Sequence, residues 1–97
     1  MTLSAKDFWK KTPLTAVEAL ATNLSNRVKE SEDLRDMYLA DLNDVETAIS
    51  LFRADDPETL VDFVWDLDTA PRDDLIMAFV KDCGRIFVEE HFGVRFA

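Results

Sequence analysis

Paired carboxylates are the residues of this chain whose type and spacing could hold a metal ion. Two pairs stand three residues apart on an expected helix, Asp33 with Asp36 and Asp41 with Asp44. This spacing places both carboxylates of a pair on one helical face, as in helical enzymes that hold Mg²⁺ against a substrate phosphate. Such enzymes also need Lys or Arg for the phosphate, and residues 30–74 contain three Arg and no Lys. We therefore expect neither a metal site nor an enzyme.

Cys83 and His91 are the other pair with reactive side chains. Eight residues of helix would separate them by roughly 12 Å, which is too far for a nucleophile and its base to share a hydrogen bond. Two ligands also fall short of the four that a structural zinc site uses. We expect Cys83 in the core and His91 on the surface. With no Gly-rich phosphate loop or G-x-S-x-G motif in the sequence, we expect no cofactor.

The elements that carry these residues are expected to be helices. Two Gly and three Pro offer little material for the tight turns of a sandwich or barrel, and apolar residues recur at three- and four-residue steps. We predict an all-α fold in which residues 1–97 form one compact domain, a bundle of four main helices plus a short N-terminal helix. The helices are expected at about 5–11, 13–29, 31–53, 57–67 and 69–92.

Caps and special residues mark the ends of these helices. N-caps are predicted at Ser4, Thr12, Ser31 and Asp56, with Pro13 and Pro57 at the first helical position. Gly93 is predicted to end the last helix. Gly84 lies inside that helix, where we expect it to mark the close approach of a neighbour, because Gly costs about 1 kcal/mol relative to Ala there. The aromatic residues expected in the core are Phe63, Trp65 and Phe79.

The middle of the chain is strongly acidic. Residues 30–74 hold fifteen carboxylates and three Arg, and no lysine occurs between Lys29 and Lys81, in a chain of net charge −9. Helices that need only a charged surface mix signs, because opposite charges four residues apart stabilise a helix by a few tenths of a kcal/mol. Helical spacing predicts two uncompensated acidic ribbons, one of Glu58, Asp62 and Asp66 and one of Asp33, Asp36, Asp41 and Asp44.

This charge predicts the kind of partner. Nucleic acid and anionic membranes would be repelled, so a basic protein surface is expected. Our first hypothesis is a non-enzymatic protein whose ribbons bind and occlude a basic, nucleic-acid-binding surface of a protein partner. Carboxylates on two adjacent helices approximate the charge spacing of a nucleic acid strand, so the protein could act as a DNA mimic.

The aromatic ends support an alternative hypothesis. Phe8 and Trp9 at the start, and Phe92 and Phe96 at the end, either pack across the helices or form an exposed patch of the kind found in interaction hot spots. In the second case Phe92 and Phe96 would bind a partner or a second copy. The protein would then be an assembly chaperone or adaptor, with a homodimer as one form.

The sequence also indicates a compartment. A single cysteine makes no internal disulfide, and no apolar run has the length of a signal peptide or a membrane span. We therefore expect a cytoplasmic protein.

One short run resembles a known family. Residues 7–13, Asp-Phe-Trp-Lys-Lys-Thr-Pro, are similar to the F-W-x-x-T-P start of some small phage tail-assembly chaperones. The similarity covers seven residues, and we carry no function over from it. As a short, acidic, helical chain without catalytic motifs, the protein also resembles in kind the inhibitors that phages and mobile elements direct against host nucleases and CRISPR complexes.

Overall fold

Six helices make up the fold. A computed structural model describes residues 5–95, with the backbone alone at positions 5 and 6. The helices are α1 (Ala5–Lys11), α2 (Thr15–Glu30), α3 (Arg35–Arg53), α4 (Pro57–Trp65), α5 (Thr69–Cys83) and α6 (Arg85–Phe92), and residues 5–95 contain no strand. The predicted all-α bundle is confirmed. Its expected last helix is two helices, α5 and α6.

Two helices, α3 and α5, lie at the centre of the bundle. α3 packs against α1, α2, α4 and α5, and α5 packs against α2, α4 and α6 as well. α2 and α4 do not contact each other. α2 and α4 therefore present separate surfaces.

Stacked aromatic rings fill the interior. Phe52 of α3 and Phe79 of α5 are fully buried, with ring centroids 5.7 Å apart, and Phe79 also stacks on Phe92 of α6 at 5.8 Å. From α1, Phe8 and Trp9 lie 6.0 and 4.7 Å from the Phe52 ring. Each such side chain removes on the order of 150–250 Å² from water. These five residues and Phe87, here called the aromatic cluster, therefore fix how α1, α3, α5 and α6 meet.

Two predictions about aromatic residues are wrong. Phe92 is 3% exposed, so it belongs to the core and cannot form part of an exposed partner-binding patch. Trp65, expected in the core, is 41% exposed at the end of α4. Its indole N–H donates to the Phe92 carbonyl at 2.9 Å, and the Arg72 guanidinium lies 5.3 Å from the ring centre. Phe79 is buried and Phe63 partly buried, as expected, while Phe96 lies outside the described residues.

Several helix ends follow the predicted local chemistry. The Asp56 carboxylate accepts the Thr59 N–H at 3.2 Å, with Pro57 at the first position of α4, and Gly93 ends α6 in the left-handed conformation. The Ser31 hydroxyl accepts the Leu34 N–H at 3.3 Å in the turn before α3, so that helix begins later than expected. The predicted cap at position 4 lies outside the described residues.

The start of α2 differs from the prediction. Thr12 is not its N-cap, because the hydroxyl donates to the Phe8 carbonyl at the end of α1. Instead the Asp82 carboxylate of α5 accepts the N–H groups of Ala16 and Val17, at 2.8 and 2.9 Å. One carboxylate thus satisfies two of the free donors of α2 and interacts favourably with its dipole. This contact joins α2 to α5.

We predict that Asp82→Ala lowers the free energy of unfolding by about 2 kcal/mol, because the charge-assisted cap of α2 is lost. Urea denaturation followed by circular dichroism measures the change. Asp62→Ala is the matched control, since that carboxylate is exposed on α4. Equal stability of the two variants would contradict the capping role of Asp82.

Gly84 separates α5 from α6. Its φ of +97° and ψ of +157° suit glycine alone, and a Cβ built there would meet nothing within 4 Å. The predicted close approach of a neighbour is therefore wrong, and the residue is a break. The break changes which residues of α6 face inward. Val88 is buried, whereas Ile86 is 71% exposed.

We predict that Gly84→Ala lowers the free energy of unfolding by about 1–3 kcal/mol, because an L-residue is strained at this backbone conformation. A continuous helix would give the opposite sign, with alanine stabilising by about 1 kcal/mol. Thermal and urea unfolding of the variant distinguish the two cases. A gain in stability would refute the break.

Candidate functional site

Two carboxylates of α4 and one that directly follows this helix are exposed and form a row. Glu58, Asp62 and Asp66, here called the α4 ribbon, are all exposed, whereas Leu60 and Val64 of the same helix are buried. The structure thus places these residues as helical spacing predicts. Near the start of α4, a surface groove of about 230 Å³ is lined by Pro57, Glu58, Val61, Asp62, Glu90 and His91. α6 therefore adds a carboxylate to the same surface.

An aromatic groove adjoins this acidic one. It has a volume of about 290 Å³ and is lined by Phe8, Trp9, Phe87 and His91. The exposed His91 ring lies 4.5 Å from the Phe87 ring and 5.5 Å from the Trp9 ring, centre to centre. His91 lines both grooves. A ligand on the α4 ribbon would thus have an apolar recess beside it.

The four carboxylates predicted as a second ribbon lie in two places. Asp33 belongs to the turn before α3, and Asp36 is exposed in its first turn. Asp41 and Asp44 lie further along α3 and are partly buried. Asp41 and Asp74 of α5 line the same small cavity. Its other lining residues are Leu20, Leu24, Val45 and Pro71. The four do not form the predicted single ribbon, because Asp33 precedes the helix and Asp41 and Asp44 are partly buried, whereas Asp36 is exposed.

Asp41 and Asp44 instead face acidic residues from another part of the chain. Burial raises the pKa of Asp41 above its ordinary value of 3.8, and the negative charges of Asp68 and Asp74 raise it further. Burial also raises the pKa of Asp44, with added repulsion from Asp41 and Asp68. We call these four residues the Asp41 cluster. The sequence spacing along α3 could not predict that Asp68 and Asp74 lie near Asp41, because tertiary packing brings these residues together.

Basic side chains leave the acidic region almost uncompensated. Arg35 donates to the Val28 carbonyl at 3.3 Å and Arg53 to the Trp9 carbonyl at 3.2 Å. Arg72 pairs with Asp73, N to O, at 3.3 Å. Within the described side chains, Asp73 is therefore the one member of the fifteen carboxylates that pairs with a basic residue. The fold does not neutralise its own charge.

Metal-ligand groups and the cysteine thiol are the features of the described residues that bear on reactivity. No group of three or more His, Cys, Asp or Glu there has an arrangement that could hold a metal ion. Burial, followed by the charge of Asp82, raises the pKa of the Cys83 thiol to about 12, so the reactive thiolate is disfavoured.

None of the six helices has the length and apolar character needed to cross a membrane.

Comparison with known proteins gives no further identification. No protein-family model, curated protein or solved structure matches the chain. The similarity to phage tail-assembly chaperones thus rests on residues 7–13 alone. Function has to be argued from the surfaces themselves.

We predict that Asp41→Asn with Asp44→Asn stabilises the fold at pH 7 by a few tenths of a kcal/mol per site, because like charges are removed. The pKa values of Asp41 and Asp44 are higher in the folded state than in the unfolded state. Between the two values the folded state binds more protons, so the free energy of unfolding falls as the pH rises through that range. The gain should therefore disappear below pH 3.8.

Urea titrations of the double variant and the wild type across this pH range measure the effect. Glu46→Gln is the control, since this residue is exposed on the same helix. A double variant that is less stable than the wild type at pH 7 would contradict repulsion within the Asp41 cluster.

Proposed function

We propose that this protein is a non-enzymatic inhibitor or regulator that binds and occludes a basic, nucleic-acid-binding surface of a protein partner. One observation supports this proposal above the others. The fold holds an acidic region of fifteen carboxylates and pairs only Asp73 with a basic side chain within the described residues. Because self-repulsion destabilises a compact state, a basic partner would relieve a cost that the free protein carries.

The α4 ribbon would act first, during association. Its charges are exposed and spaced by about 6 Å along the helix. Complementary charge steers an encounter and can raise association rates by 10- to 1,000-fold at low salt. Phosphates of one DNA strand stand about 3.4 Å apart. The ribbon, with Glu90 beside it, resembles them in sign, at a wider axial spacing, and this is the sense in which it could mimic DNA.

The aromatic groove would contribute to residence on the partner. Steering charges on a rim add little lasting affinity, whereas aromatic residues in desolvated pockets dominate many interfaces. Phe8, Trp9, Phe87 and His91 form such a recess next to Glu58 and Asp62. A partner segment with an apolar residue flanked by Lys or Arg fits this combination. Nucleic-acid-binding surfaces supply such basic stripes, including those of nucleases and CRISPR-type complexes.

The alternative function, an assembly chaperone or adaptor that acts through apolar ends, has less support. Phe92 is buried within the aromatic cluster and is not available to a partner. Phe8 and Trp9 pack partly against Phe52. The aromatic groove that stays exposed here adjoins the acidic groove. This combination favours a partner that is basic as well as apolar.

We predict that Glu58→Lys, Asp62→Lys and Asp66→Lys together abolish capture of the partner from a bacterial lysate. The wild type should retain a nucleic-acid-binding protein at low salt and release it at high salt, because exposed charges are screened. Affinity capture at several salt concentrations, with identification by mass spectrometry, is the measurement.

The matched control reverses three exposed charges elsewhere, Glu18→Lys, Glu30→Lys and Glu46→Lys. This variant has the same net charge as the first and should keep the partner. Equal loss in both variants would indicate that net charge alone controls capture. Unchanged capture by the α4 variant would refute the ribbon as the binding surface.

A further inference from the structure

A third groove lies between α2 and α5. Its volume is about 410 Å³, and its walls are Ala16, Ala19, Leu20 and Asn23 from α2 and Asp74, Met77, Ala78 and Lys81 from α5. The two alanines of α2 are small enough for another helix to approach closely. Met77 is 49% exposed and also lines a neighbouring surface groove with Trp65 and Arg72. It therefore forms an apolar ridge on the surface.

The charges of this groove have a simple symmetry. Asp74 and Lys81 stand two turns apart on one face of α5, about 10 Å along its axis. Both are exposed, and neither forms an ion pair with any residue in the described part of the chain. The point midway between them falls between Met77 and Ala78. A half-turn rotation about that point exchanges the position of the acid with that of the base.

We propose that this face binds a second copy of the same chain, as a two-fold symmetric dimer in which the α5 helices pack antiparallel. Lys81 of each copy then lies opposite Asp74 of the other, and Met77 of each enters the groove above Ala16 and Ala19 of the other. A symmetric interface requires one patch to be complementary to itself. The Asp74 and Lys81 pair, centred on an apolar ridge beside a groove, meets that requirement.

The Asp41 cluster gives the second copy a further reason to bind here. Asp74 lines the same small cavity as Asp41 and repels it. A lysine brought to Asp74 from the other copy would reduce this repulsion. A wholly basic partner fits less well, because Lys81 would repel it at the other end of the face. The charge pattern thus selects a second copy over the partner proposed for the α4 ribbon.

The dimer leaves the proposed inhibitory surface free. None of Glu58, Asp62 and Asp66 lines the groove. In this arrangement they stay outside the interface, and each dimer would present two acidic ribbons. The inference does not depend on the proposed function, since it concerns the protein alone.

Sedimentation velocity over a wide range of protein concentration tests the dimer. The wild type should associate, whereas Lys81→Asp and Asp74→Lys should each raise the dissociation constant by about tenfold or more, because two like-charged pairs then face each other. The double variant, with both substitutions, exchanges the charges and should restore association to near the wild-type value. Circular dichroism checks that each variant folds.

Lys10→Asp is the control, since it makes the same charge change at an exposed site on α1. It should associate as the wild type does. A wild type that is monomeric at every concentration would overturn the dimer, and so would a double variant no better than the single ones. If the wild type is monomeric and the Lys81→Asp variant no longer captures the partner from a lysate, that partner, and not a second copy, occupies the groove. Loss of the dimer leaves the capture experiment on the α4 ribbon unaffected.

Discussion

Stacking of Phe52 on Phe79 is the contact on which the arrangement of this protein depends. Both rings are fully buried, and Phe8 and Trp9 of α1 and Phe92 of α6 pack around them. A chain of this length buries little more than about 60% of the surface that its unfolded form exposes, so a few large side chains must supply much of the core. Leu60 and Val64 of α4 are buried in the same core, and Glu58 and Asp62 of that helix are exposed. The packing of the core thus determines which carboxylates reach the surface.

The two acidic surfaces differ in their physical state. Solvent surrounds the α4 ribbon, so its charges act on other molecules over roughly a Debye length and are screened by salt. Asp41 and Asp44 are partly buried, and burial together with repulsion from neighbouring carboxylates raises the pKa of both. A cation that reaches this cluster replaces repulsion with attraction in a less polar environment, where each contact is stronger. The effect of the first surface therefore depends on ionic strength, whereas that of the second depends on burial.

Sequence reasoning succeeded where the cause was local. The bounds of α1, the Asp56 and Pro57 start of α4, the Gly93 end and the outward α4 ribbon all follow from residues within one or two turns. It failed where distant segments meet. Asp82 caps a helix some 65 residues away, and Asp68 and Asp74 join Asp41 only after packing. Gly84 was misjudged because apolar residues continue at helical spacing on both sides of it. The break then changes which residues face inward, and Phe92 enters the core.

The outer halves of α2 and α3, with the turn between them, have a character of their own. None of residues 18–44 is buried, and Leu34, Met37 and Leu39 are exposed among carboxylates there. Resistance to local opening comes mainly from buried apolar contacts, so amide hydrogens in this hairpin should exchange with solvent well before those around Phe52. The molecule joins a rigid end, where the aromatic rings are packed, to a compliant end. That compliant end can change its backbone at small cost in free energy and adapt its shape to whatever it contacts.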